Sequence, residues 1–153
     1  MTDLTIHTTI DIHASAAAAW RLFGEGFGDW AAWAPGIDKS TLEGPLAQGV
    51  FRTNEAPSLG TVRQELVRYE PAARALAYEM REGLPPFLTG LRNDWVIEEL
   101  ADGRSRLTGE ALFRLTEQAA PMAPKLEAQM GGVLQGFAAA FRAAMEGEAT
   151  AEA

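Results

Sequence analysis

The chain contains no cysteine. Disulfide staples, thiolate nucleophiles and zinc–thiolate sites are therefore excluded. A cysteine-free composition fits a reducing compartment, and the cytoplasm is the expected location. Histidine is nearly as scarce, with only His7 and His13. Both fall on the polar parity of one strand. Six residues at ~3.3 Å each separate them by about 20 Å, too far to share a metal. Basic residues are also in deficit, 13 against 21 acidic ones, for a net charge of −8. That argues against nucleic acid and against anionic membrane surfaces, where cations supply most of the affinity. No run approaches the roughly 18 apolar residues that span a bilayer, so stable membrane insertion is not expected. The opening Met1-Thr2-Asp3-Leu4 lacks the basic and apolar regions of a signal peptide. No motif for a metal or a cofactor is present, and none is expected.

What remains is an ordinary globular composition, 47% hydrophobic and 22% charged over 153 residues. One domain of this length buries about 70% of the surface its unfolded chain exposes, enough for a core with a pocket in it. Leu4 to Ala14 alternates, with Leu4, Ile6, Thr8, Ile10 and Ile12 on one parity and His7, Thr9, Asp11 and His13 on the other. This pattern predicts a half-buried strand. Ser15 is placed to cap an alanine-rich helix carrying Trp20, Leu22 and Phe23. A second short helix carries Trp30 and Trp33 and ends at Pro35-Gly36. Three-residue spacing makes these two tryptophans a packing pair rather than a ligand contact.

From Asp38 to Thr116 the chain reads as a meander of antiparallel strands. Gly44-Pro45, Pro57 to Gly60, Glu70-Pro71 and Leu84-Pro85-Pro86 punctuate it, and Asp102-Gly103 signals a tight hairpin. The inward parity is Val62 and Leu66; Leu76, Tyr78 and Met80; Leu91, Trp95 and Ile97; Leu107, Ala111 and Phe113. Past Pro124 the period becomes helical. Leu126, Met130, Val133, Leu134, Phe137, Phe141, Ala144 and Met145 form one stripe. Residues 147–153 read as a frayed tail, leaving a core of about 4–146 in a single domain. Only the long helix can cover so large a sheet, so the sheet must curl around it. The fold class is α+β.

Several motifs in this order carry a family likeness. They are Ile12-His13-Ala14-Ser15 entering a helix with Trp20; Trp30-Ala31-Ala32-Trp33-Ala34-Pro35; Gly49-Val50-Phe51-Arg52; Leu66-Val67-Arg68-Tyr69-Glu70-Pro71; and Tyr78 followed by Glu82-Gly83-Leu84-Pro85-Pro86. Over residues 4 to 145 the chain resembles the START-like or Bet v 1-like (SRPBCC) helix-grip superfamily. The nearer likeness is to its polyketide cyclase/dehydrase and lipid-transport branch. Two positions depart from the pattern: Ser15 stands where proline is frequent, and Gln64 where glutamate is frequent.

The resemblance implies a cavity between the sheet and the C-terminal helix. Its expected walls are Met80, Trp95 and Phe113 of the strands and Met130, Leu134 and Phe137 of the helix. Gly109 and Ala111 on the last strand, and Gly131, Gly132 and Gly136 on the helix, are small enough to leave it space. The apolar Leu84 to Leu88 loop would form its rim or plug it. Tyr78 and Asn93 offer the few polar groups that orient a ligand in an apolar pocket. The resemblance points Arg52 inward, facing Gln64 on the next strand. A buried guanidinium without a carboxylate is costly. It would await an anionic or carbonyl group of the ligand, pair with an acid such as Glu99, or reach solvent.

Three functions follow. A binding or transport module would hold a small hydrophobic molecule, lipid- or polyketide-like, with an anionic or carbonyl end. A polyketide cyclase or dehydratase would use Arg52 to polarise a carbonyl and Tyr78 to relay a proton. A co-chaperone-like interaction module would expose a large apolar patch. With no inward histidine and no acid–base pair, the first reading leads.

Overall fold

The computed structural model describes residues 2–58 and 60–152, the last five by backbone alone. Seven antiparallel strands form one sheet in the order β1-β7-β6-β5-β4-β3-β2. They are β1 (Thr2–Ile12), β2 (Lys39–Leu42), β3 (Phe51–Ala56), β4 (Gly60–Glu70), β5 (Ala75–Glu82), β6 (Leu88–Glu99) and β7 (Ser105–Leu115). Helix α1 (Ala16–Trp20) and two further short helical turns follow β1, and α2 (Ala123–Glu152) closes the chain. This is the helix-grip arrangement.

Local chemistry sets each element. Along β1 the even positions from Leu4 to Ile12 are buried and the odd ones exposed, as its alternation requires. His7 and His13 are both exposed. Ser15 caps α1, its Oγ accepting from the Ala18 N–H at 3.1 Å. A carboxylate oxygen of Glu99 accepts from the Ala16 N–H at 2.9 Å and ties the helix start to the end of β6. Leu22 and Phe23 lie beyond α1, in a wider turn of π type from Arg21 to Glu25. Asp102 and Gly103 both adopt the left-handed conformation, and the Arg104 N–H closes the turn on the Ala101 carbonyl.

The sheet curls because its pairing is irregular where it must bend. Register shifts interrupt β4 against β5 at Arg63/Gln64 and Leu66/Arg68, and β6 against β7 at Leu88/Gly90. Such bulges bend a strand and sharpen its twist. Into the trough lies α2, packed against β1. Leu126, Ala138, Phe141 and Met145 are its buried contacts. Each large apolar side chain buried in full contributes roughly 1.5–3 kcal/mol.

Two expectations change. Val133 is 62% exposed, although its spacing put it in the buried stripe. The backbone of α2 continues helical past Gly147 to Glu152, where fraying was expected; the side chains there lie outside the described residues.

Candidate functional site

The inner face of the sheet is divided between two apolar clusters. One end is filled by aromatic rings. Phe23 touches Trp30, Trp95 and Phe141, with ring centroids 4.7, 5.6 and 5.0 Å away. Phe137 of α2 reaches Trp30, Trp33 and Trp95 at 5.3, 5.1 and 5.3 Å. Trp30 is 1% exposed and its Nε1 donates to the Phe23 carbonyl, so it packs as its spacing predicts.

The other end is hollow. A cavity of about 520 Å³ lies between α2 and strands β5, β6 and β7, with the Leu84 to Leu88 loop at its rim. Gly83 sets that loop: its φ is +91°, and a Cβ there would lie 2.6 Å from the Thr61 carbonyl oxygen. The walls are Met80, Leu88, Leu91 and Phe113 from the sheet side, Leu126, Met130, Val133 and Leu134 from α2, and Pro85 and Phe87 from the loop. The polar lining is Asn93, Ser58 and Gln129. No charged residue lines the cavity among the described residues.

Of the residues anticipated from sequence, Met80, Asn93, Phe113, Met130 and Leu134 come together on this cavity. Arg52, Gln64, Tyr78, Trp95, Gly109, Ala111 and Phe137 do not line it. The boundary is sharp along each element. Asn93 lines the cavity but Trp95 does not; Met80 does but Tyr78 does not; Leu134 does but Phe137 does not. Trp95, Tyr78 and Phe137 belong instead to the ring cluster at the other end of the sheet's inner face. The Trp95 Nε1 donates to the Tyr78 hydroxyl at 3.3 Å, and burial raises the Tyr78 pKa.

The glycines divide. Gly109 leaves no space, because the Trp95 indole occupies it and a Cβ would collide with that ring. At Gly131, Gly132 and Gly136 an added Cβ would meet nothing within 4 Å. Gly132 and Gly136 are exposed, so their open side is solvent.

Arg52 is 1% exposed and faces Gln64 in register, as expected. Among the described residues no carboxylate pairs with it, and Glu99 serves α1 instead. The guanidinium is held by neutral groups. Its Nε donates to Gln64 Oε1 at 3.0 Å, its Nη2 donates to the same oxygen, and its Nη1 donates to the Phe27 carbonyl at 2.8 Å. Asn54 Nδ2 also donates to Gln64 Oε1, at 3.2 Å. The rings of Phe27, Trp30 and Tyr78 stand 3.8, 4.2 and 5.2 Å from the guanidinium carbon. Burial lowers the Arg52 pKa to about 10.

Ser58, Leu91, Leu126, Gln129 and Val133 also line the cavity and were not anticipated as site residues. Leu91 was legible, since it shares the parity of Asn93 two residues on. Leu126 was legible too, lying four residues before Met130 on the helical stripe.

Residues 3–146 match the family model for polyketide cyclase/dehydrase and lipid transport. The chain belongs to this family. Solved structures carry the same fold. A protein from Thermobifida fusca aligns at 26% identity and TM-score 0.77, covering 92% of each chain. Ara h 8.0201 aligns at 16% identity and TM-score 0.77, over 95% of this chain and 99% of that one. Norcoclaurine synthase from Thalictrum flavum, solved with dopamine and hydroxybenzaldehyde, aligns at 16% identity and TM-score 0.74, over 92% of this chain and 85% of its own. No curated protein matches the chain. Within this polyketide cyclase/dehydrase and lipid-transport family member, no helix among the described residues is long and apolar enough to cross a membrane.

Proposed function

We propose that the chain binds and carries a small hydrophobic molecule in the cavity between α2 and the sheet. The observation that carries this reading is the cavity itself, about 520 Å³ with a wall almost wholly of apolar side chains. That size lies within the usual range of ligand sites, which are apolar with few polar groups. An open hollow of this kind forfeits packing that the fold would otherwise gain, so an occupant has contacts waiting for it. The cysteine-free composition supports a reducing compartment such as the cytoplasm.

The family's description favours a second reading, a cyclase or dehydratase. The two residues best suited to that chemistry support it less well than the cavity supports binding. Arg52 is engaged by Gln64 and Phe27, and Tyr78 lies in the ring cluster with its hydroxyl turned to Trp95.

Native mass spectrometry of protein purified from its own host tests the reading. A small-molecule adduct is expected on the wild type and should be absent from Met130→Trp, which fills the cavity. An adduct equally abundant on both would put the occupant elsewhere.

A further inference from the structure

The cavity holds one polar group whose state is unusual. Asn93 is 8% exposed and its amide makes no hydrogen bond among the described residues; unlike the fully buried, unpartnered Trp33 Nε1 and Ser105 Oγ, its polar atoms are open to the cavity it lines. Water or an occupant satisfies an amide that opens on a cavity, and a ligand that displaces the water without replacing its hydrogen bonds loses affinity. Its cross-strand neighbours supply no partner: Ala111 has no polar side-chain atom, and the Tyr78 hydroxyl, which accepts from Trp95, makes no hydrogen bond to Asn93. The residues on either side along β6, Arg92 and Asp94, pair with each other at 2.8 Å. Arg52, the buried cation nearest in kind to an anion receptor, does not line the cavity.

We infer that the cavity selects neutral ligands and reads one carbonyl or hydroxyl group through Asn93. This rests on the binding function proposed above and specifies its ligand class. An amide offers both a donor at Nδ2 and an acceptor at Oδ1. A ketone, ester or lactone carbonyl accepts from Nδ2, and an alcohol donates to Oδ1. A carboxylate brought to the same place would be desolvated with no cation opposite, which is strongly disfavoured. Asn93 is the last residue of β6 to line the cavity before Trp95 of the ring cluster, so the polar group goes in first and the apolar remainder points toward the rim. At ~30 Å³ per heavy atom, as in liquid water, the volume admits a ligand of roughly fifteen to twenty heavy atoms.

The test is calorimetric titration at pH 8 with three ten-carbon probes: 2-decanone, decanoate and decane presented in cyclodextrin. Wild type, Asn93→Leu and Asn93→Ala are compared, the alanine variant covering any misfolding of the leucine one. Wild type should prefer 2-decanone to both other probes. The substitutions should weaken 2-decanone about three- to tenfold, the effect of one lost neutral hydrogen bond. Decane should bind as well as before or better. If all three probes bind but 2-decanone is unaffected by either substitution, the Asn93 inference fails and the binding function stands. Decanoate binding tightest in wild type and weakening in both variants would also overturn it, by showing that an anion is read there. If no probe binds wild type, the binding function falls and this inference with it.

Discussion

Replacing Gln64 with methionine should damage the fold far more than replacing its partner Arg52 with methionine. Gln64 Oε1 receives two of the three N–H bonds that hold the guanidinium, and a further one from Asn54. Gln64→Met leaves a cation that is 1% exposed with the Phe27 carbonyl and three rings as company. Stranding a buried charge in this way costs about 3–5 kcal/mol. Arg52→Met removes the charge instead. Burial has already lowered the Arg52 pKa to about 10, which at ~1.4 kcal/mol per tenfold amounts to about 3 kcal/mol of desolvation relieved. Against that stand an unpaired Phe27 carbonyl, about 1–3 kcal/mol, and the lost ring contacts, about 2 kcal/mol, partly restored by sulfur against the rings. These nearly cancel, so Arg52→Met should lie within about 2 kcal/mol of wild type. The double variant should resemble Arg52→Met, giving a coupling of about 3–5 kcal/mol, the whole cost of Gln64→Met alone. Urea unfolding followed by far-ultraviolet circular dichroism measures all four proteins. Additive effects, or a Gln64→Met no worse than Arg52→Met, would refute the neutral cage. The pH dependence has a defined sign. The unfolded arginine keeps its proton well above pH 10 while the folded one releases it near there. The penalty is therefore complete below pH 10, and wild type should gain stability relative to Arg52→Met as pH rises past it.

Other substitutions probe the frame. Gly132→Ala and Gly136→Ala should each stabilise by about 1 kcal/mol in thermal or urea unfolding, since both sites are exposed and the new methyl meets nothing. Gly109→Ala should cost at least about 1–3 kcal/mol in the same assay, because the Trp95 ring must move. Phe137→Asp would put a carboxylate among Trp30, Trp33 and Trp95, and should lose at least about 3 kcal/mol or fail to fold, as read by near-ultraviolet circular dichroism. His7→Ala combined with His13→Ala should leave stability within about 0.5 kcal/mol and probe binding unchanged, because both side chains are in water.

The frame was legible because it rests on periodicity. The alternation of β1, the Ser15 cap, the turn residues and the three-and-four spacing from Leu126 to Met145 are local signals, and each has a local consequence. Val133 escaped them because a stripe fixes a helix face but not how far the sheet extends beneath it. The site was harder. Parity says that Asn93 and Trp95 both point inward, but only the position of α2 decides which one meets a hollow and which one meets Phe137. Gly109 looked like space because the Trp95 ring that fills it belongs to the neighbouring strand. Whether Arg52 met a ligand, an acid or solvent stayed open because only Gln64 among its partners was legible; the Phe27 carbonyl and three rings come from chain segments with no marked polarity. A backbone carbonyl acceptor has no sequence signature.

The space between α2 and the sheet is proposed as the binding site for apolar molecules. Titration of wild type and Met130→Trp with the neutral fluorescent probe N-phenyl-naphthylamine tests it most directly. Met130 lines the cavity, is half-buried and stands outside the ring cluster, so an indole there occupies the space while that cluster stays intact. Saturable binding of one probe per wild-type chain is expected, with at least tenfold weaker binding by a folded Met130→Trp. Equal affinity in the two proteins, or none in wild type, would contradict it.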